Sequence, residues 1–277
     1  MTEDVNKLID IAVRRYSEGM QKTANNIIRG ITPILKDLPT GVDGKLVRGP
    51  GVDSAASELS SRFVSGINTG VVWGRLSKFV RDTIEPIDKS IRGSLKAIET
   101  DASRALKAVV FERINSTLIP DRITDALLPE AIDSFYRMIG DNSTVDALIK
   151  NMKQRLGNRI ESFSRNQGAT IVQQYARDLN EIYSSQRGLQ FVRYAGPKDS
   201  LNREFCNVRA QKYFHINEVR SWSSLDWDGK IPSTNAMNIV VLLGGYNCRH
   251  ILEYVGVEEV QRNAPAVLRR AQRNNYI

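Results

Sequence analysis

At residues 188–196 the sequence reads GLQFVRYAG, and there the texture of the chain changes from helical to extended. Upstream, Val145, Leu148, Met152, Leu156, Ile160, Phe163, Ile171, Tyr175, Leu179 and Ile182 lie on one stripe at helical spacing. Gly188 supplies the stop, because glycine takes the left-handed backbone of a helix C-terminus without a Cβ penalty. Downstream, LQFVRYAG has the alternation and the aromatic, β-branched content of a strand. The fold class that follows is α+β. A helical region with long antiparallel helices covers 1–188, a small α+β module covers 189–256, and a basic helix covers 257–277.

Within the first region, residues Val5 to Ile34 carry an amphipathic stripe, and LPTGVDGKLVRGPG (38–51) is dense in glycine and proline. A loop or exposed arm over 38–53 is therefore expected. Further helices are expected over about 54–84, 87–118, 123–139 and 144–187, with Pro86 and Pro120 as punctuation. The last of these, at roughly 1.5 Å per residue, would be a rod of about 60 Å. Gly66, Gly70 and Gly74 recur every four residues, a spacing that lets two helices approach closely. In the module, FHINEV, KIPSTNAMNIVVLL and HILEYV read as short pieces between polar turns, with MNIVVLLGGY as a buried strand.

The chain has 277 residues, 41% of them apolar and 25% charged, which is the composition of an ordinary globular protein. Its net charge of +8 favours nucleic acid, an anionic surface or an acidic partner. Two cysteines do not make a disulfide-stapled scaffold. The opening MTEDVNKLID has no apolar leader core, and no segment approaches the roughly 20 apolar residues of a membrane span. A soluble chain made in a cytoplasm is expected, with no membrane role. There is no phosphate-binding loop and no GxGxxG after a strand.

The supply of soft ligands is concentrated. Both cysteines and both histidines, Cys206, His215, Cys248 and His250, fall within 45 residues of the module. Thiolate and imidazole suit tetrahedral zinc, so these four are the candidate metal ligands. Two other readings stand beside this one: small buried hydrophobes with hydrogen-bonded histidines and no cofactor, and a Cys206–Cys248 disulfide. Asp199 and Arg203, four residues apart, would face each other on a helix. Arg262, Arg269, Arg270 and Arg273 lie in a terminal stretch without acids and are the candidate DNA contacts.

The order FVRYAGPKD, NREFC, a polar strand-and-turn section, GGYNCRH and ILEYV resembles the phage Mu F-like minor head proteins, a head-morphogenesis family. Its features fall on Asp199, Arg203, Cys206, Asn247, Cys248, Arg249 and His250, over about 189–256. Many members carry a second cysteine near the first and Pro-Pro-x-His before the last; here Arg209 and Gly244-Gly245-Tyr246 stand in those places. The resemblance implies a non-enzymatic, low-copy virion component assembled in the host cytoplasm. Its partners would be the portal and the major capsid or scaffolding proteins, with packaged DNA beside it and no small-molecule substrate. Two other classes are a DNA-binding protein that guides the genome through its arginine-rich end, and a toxin-like enzyme, since the module also occurs fused to toxin domains.

Overall fold

The computed structural model describes residues 2–68, 82, 85–117, 120–163, 166 and 168–277. Helices α1 (Thr2–Lys36), α2 (Gly51–Asn68), α3 (Asp101–Thr117), α4 (Pro120–Gly140), α5 (Val145–Phe163) and α6 (Ala169–Gln186) precede a small sheet, with a further helical stretch at 85–94. The sheet is formed by β1 (Phe191–Ala195), β2 (Tyr213–His215) and β3 (Ile251–Val255), with β1 in the centre and both neighbours antiparallel to it. Short helices α7 (Glu204–Asn207), α8 (Ile216–Ser221) and α9 (Ile239–Leu242) lie between the strands, and α10 (Val257–Asn263) and α11 (Pro265–Arg273) close the chain. A mainly helical α+β layout is thus the observed fold. No helix among the described residues is long and apolar enough to cross a membrane.

Several elements differ from their expected bounds for local chemical reasons. The helix expected over 87–118 is interrupted at 95–100, where Lys96 has a φ of 48° and Thr100 caps α3. Thr100 Oγ1 accepts from Ser103 N at 3.2 Å while Ser103 Oγ accepts from Thr100 N at 2.8 Å, a reciprocal box that starts a helix afresh. The stretch expected as a buried strand forms α9 instead. Asn235 Oδ1 accepts from the amides of Met237 and Asn238, and Asn238 Oδ1 accepts from Asn235 N, winding the chain into a turn before the apolar residues begin. The five-residue apolar run Ile239–Leu243 has no period with which to resist this. The single terminal helix is two, because Ala264, with φ −151° and ψ 55°, precedes Pro265 at the first turn of α11. The 144–187 rod is described as α5 and α6, and its middle lies partly outside the described residues.

The described residues form two compact units, one from Met1–Ala12, Asp82–Ile114 and Ala169–Ile277, the other from Val13–Arg81 and Asn115–Gly168. In the second unit, α2, α4 and α5 bury Leu59, Phe63, Phe135, Leu148 and Met152. Gly66 is a close-approach point, since a Cβ there would lie 3.1 Å from Ile27 Cγ1. Gly70 and Gly74 lie outside the described residues. The loop expected over 38–53 ends at residue 50, just before α2, and it is tied down rather than free: Leu46 is buried and its amide donates to Ser143 O at 2.8 Å.

In the first unit, α6 is buried almost all round from Thr170 to Ser184, and Gly188 ends its C-terminal turn at a φ of 64°. Its far end is held by a polar network. Tyr183 OH donates to Asp88 Oδ1 at 2.6 Å, Lys107 Nζ lies 2.9 Å from Asp88 Oδ2 and also pairs with Glu99, and Arg187 donates to Leu95 O. Asp88 is buried and Lys107 half-buried, so removing the cation leaves a buried carboxylate without its charge partner. Lys107→Met is therefore expected to lower stability by about 3 kcal/mol and Tyr183→Phe by about 1 kcal/mol, both read as shifts of the denaturant midpoint at unchanged slope.

Candidate functional site

Strand parity decides which of the rare side chains can meet. Successive side chains of a strand point to opposite faces. Val192, Tyr194, Phe214, Leu252 and Tyr254 share one face and join a core with Phe205, Cys206, Trp222, Ile239 and Cys248. Phe191 and Val255 face the other way, onto Val260, Val267 and Ala271 of α10 and α11. His215 pairs with Phe191 in the ladder and lies on that second face, edge-on to Phe191 and stacked on Tyr276 with centroids 5.0 Å apart. The four-residue ligand set is therefore corrected. His215 is separated from the cysteines by the sheet itself, and its Nδ1 is occupied, accepting the amide of Asn217 at 3.2 Å as the N-cap of α8.

The other three do meet. Cys206 on α7 and Cys248 in the loop before β3 place their sulfurs 4.0 Å apart, and His250 Nδ1 lies 3.9 Å from Cys248 Sγ. All three ligand atoms lie within 4.8 Å of one another, and each residue is 3% exposed or less. His250 Nε2 lies 2.8 Å from Pro197 O; a carbonyl only accepts, so Nε2 is the donor there and Nδ1 is the ring nitrogen that faces the sulfurs. The Tyr194 ring stacks on His250, and its hydroxyl lies 3.3 Å from Cys206 Sγ and 3.9 Å from Cys248 Sγ. Two sulfurs and an imidazole nitrogen are ligand atoms of the type that suits zinc or a related soft-to-borderline cation. The cluster faces inward, so its chemistry acts on the fold.

The charges follow from these neighbours. The hydrogen bond from Cys206 holds the Cys248 thiol well below its ordinary value, against burial, with Arg177 and His250 adding to the effect. Cys206 is pushed up correspondingly, first by that hydrogen bond and then by burial. Burial pushes the Tyr194 phenol far up, and the two sulfurs add to this.

The loop that carries Cys248 and His250 is positioned by a residue the sequence did not mark. Arg177 on α6 is 4% exposed and donates from Nε to His250 O at 2.9 Å, from Nη1 to Val241 O at 2.9 Å and from Nη2 to Cys248 O at 2.5 Å. Asn180, one turn on, donates to Leu252 O, and the Asn247 amide donates to Thr170 Oγ1 at 3.2 Å. Gly244 is required by space: a Cβ there would fall on Cys206 Sγ and lie 3.0 Å from Cys248 Sγ. No sequence signal identified Arg177. An arginine beside Asp178 and Asn180 reads as the wet face of a helix.

The remaining expected residues divide. Asp199 and Arg203 do not pair. The chain is a turn there, closed by Leu201 N donating to Asp199 Oδ1, and Asp199 instead meets Arg249 at 2.6 Å. Arg249 holds the Asp199 carboxyl below its usual range. Arg249 also donates to Asn202 Oδ1 at 2.8 Å, so the pair ties the loop after β1 to the loop before β3. Arg203 precedes α7, its guanidinium lying where a side chain at Gly229 would have to sit. Of the terminal arginines, Arg270 is committed to Glu218 through two hydrogen bonds, while Arg262, Arg269 and Arg273 are exposed.

Two outcomes are expected. Arg177→Met leaves three buried carbonyls without a donor and lowers stability by about 3 kcal/mol or more; Arg177→Lys recovers part of the loss, read by urea unfolding. Burial, with Arg220 adding to it, lowers the His215 pKa in the fold, so the unfolded chain takes up this proton more readily than the folded one. Stability is then lost as pH falls through the ordinary histidine range of about 6.5, and His215→Gln flattens the fall of melting temperature between pH 7 and 5.

No protein-family model matches the chain, no curated protein matches it, and no solved structure matches it.

Proposed function

We propose that the chain is a minor capsid or head-morphogenesis protein of a phage, a low-copy, non-enzymatic virion component that docks on the portal and the capsid interior. One observation carries the reading. The motif residues scattered through the sequence converge in space: Asp199 on Arg249, and Cys206 on Cys248 and His250. A resemblance in residue order alone could be an accident of composition; one whose members also meet across more than 40 residues of sequence, as an ion pair and as a buried cluster, is harder to produce by chance. The helices supply surface for docking on neighbours, and the net charge of +8 suits a place beside packaged DNA.

In this reading the module is a folding unit, and its rare side chains hold together a sheet of three short strands. Exposed Arg262, Arg269 and Arg273 would be available to DNA or to an acidic capsid surface. Mass spectrometry of purified particles and of DNA-free precursor heads tests the proposal. The chain is expected in both, at a few copies per portal, with Cys248→Ser strongly reducing its incorporation. Absence of the wild-type chain from both kinds of particle would overturn it.

A further inference from the structure

We propose that Cys206, Cys248 and His250 bind a zinc ion, with the Tyr194 hydroxyl at the fourth corner of the site. The inference rests on side-chain geometry and stands apart from the virion reading. Zinc bonds of about 2.3 Å to sulfur and about 2.0 Å to nitrogen or oxygen give a tetrahedron with S–S edges of about 3.8 Å and S–N or S–O edges of about 3.5 Å. The observed Sγ–Sγ separation is 4.0 Å and the Cys248 Sγ–His250 Nδ1 separation 3.9 Å. Tyr194 Oη, at 3.3 and 3.9 Å from the two sulfurs, brackets the expected S–O edge. The Cys206 Sγ–His250 Nδ1 separation is within 4.8 Å, so these donors close on an ion by a movement of up to about 1 Å on that edge and a few tenths of an ångström on the others.

Three further features fit a ligand set. Nε2–H of His250 is committed to Pro197 O, the outer-shell carbonyl contact typical of metal-bound histidines, which leaves Nδ1, facing the sulfurs, as the ligating nitrogen. Gly244 brings bare backbone up against both sulfurs, and at Gly196 a Cβ would lie 2.6 Å from the His250 ring, so the chain closes tightly on the donors without a side chain at either position. Arg177 fixes the carbonyls of Cys248 and His250, which holds two ligands in place before an ion arrives. Without an ion, two sulfurs, an imidazole nitrogen and a phenol sit in an apolar core, joined to one another by sulfur contacts of 3.3–4.0 Å. Burying polar groups so poorly partnered is costly. A disulfide would draw the sulfurs in to about 2.05 Å and still leave His250 Nδ1 and Tyr194 Oη without a strong partner. In the bound state two thiolates neutralise the charge of one divalent cation.

The test is a cobalt titration of the reduced, metal-stripped full chain under anaerobic conditions. One equivalent of Co²⁺ is expected to give the intense visible bands of a tetrahedral site and a sulfur-to-cobalt charge-transfer band, both abolished by one equivalent of Zn²⁺. Zinc is also expected to protect both thiols from a disulfide reagent. His215→Ala should leave the spectrum unchanged, and His250→Ala should abolish it. Tyr194→Phe preserves the packing; it is expected to shift the visible bands and weaken zinc binding by about 10- to 100-fold, the usual cost of losing a supporting group. Weak octahedral-type bands, no uptake by the folded chain, or a purified protein two hydrogens lighter whose sulfurs are already joined would overturn the metal site. An unchanged Tyr194→Phe spectrum and affinity would overturn the fourth corner.

Discussion

A single buried guanidinium holds the module in register. Arg177 stands in the middle of a helix that is covered almost all round, and its donors end on the carbonyls of Val241, Cys248 and His250. Those carbonyls belong to the end of α9 and the loop before β3, where regular structure supplies no amide partners for them. A planar fork with five donors can satisfy several acceptors at once, which a lysine ammonium on a flexible stem does less well. Because the loop is fixed by its backbone, its side chains are free to face the cluster. Asn180 repeats the device one turn further on, capturing Leu252 O at the start of β3.

The same packing explains why the two histidines have different surroundings. His250 leaves the loop on the side of Tyr194 and the sulfurs, stacked on a phenol ring and tied to Pro197. His215 is the last residue of β2 and has the opposite parity, so it lies among Phe191, Tyr276 and the closing helices. One face of the sheet thus carries the metal-type donors, and the other carries a histidine that caps α8 and stays neutral. A shift of one residue in the β1–β2 register would exchange the two faces.

Much of the architecture was legible in the sequence because it depends on local periods. The helical stripes, the stop at Gly188 and the strands at 191–195 and 251–255 are consequences of spacing and backbone freedom within a few residues. The misreadings were also local, but they turned on side-chain hydrogen bonds that override hydrophobic pattern. Thr100 and Ser103 restart a helix inside an apparently continuous stripe, and Asn235 and Asn238 wind an apolar run that composition alone would leave extended. Ala264 before Pro265 divides the terminal helix by steric restriction.

The site was legible only as a parts list. Scarcity drew attention to Cys206, Cys248 and His250, and residue order drew attention to Asp199 and Arg249, all of which are recovered as contacts. It also nominated His215, which strand parity removes, and paired Asp199 with Arg203, whose short-range partnership loses to Arg249 from 50 residues away. It passed over Arg177 entirely. Periodicity reports which side of an element is buried against something; it carries no information about the partner. Which sulfur meets which nitrogen depends on distant segments brought together by a sheet and a buried helix, and that is a property of the packed chain.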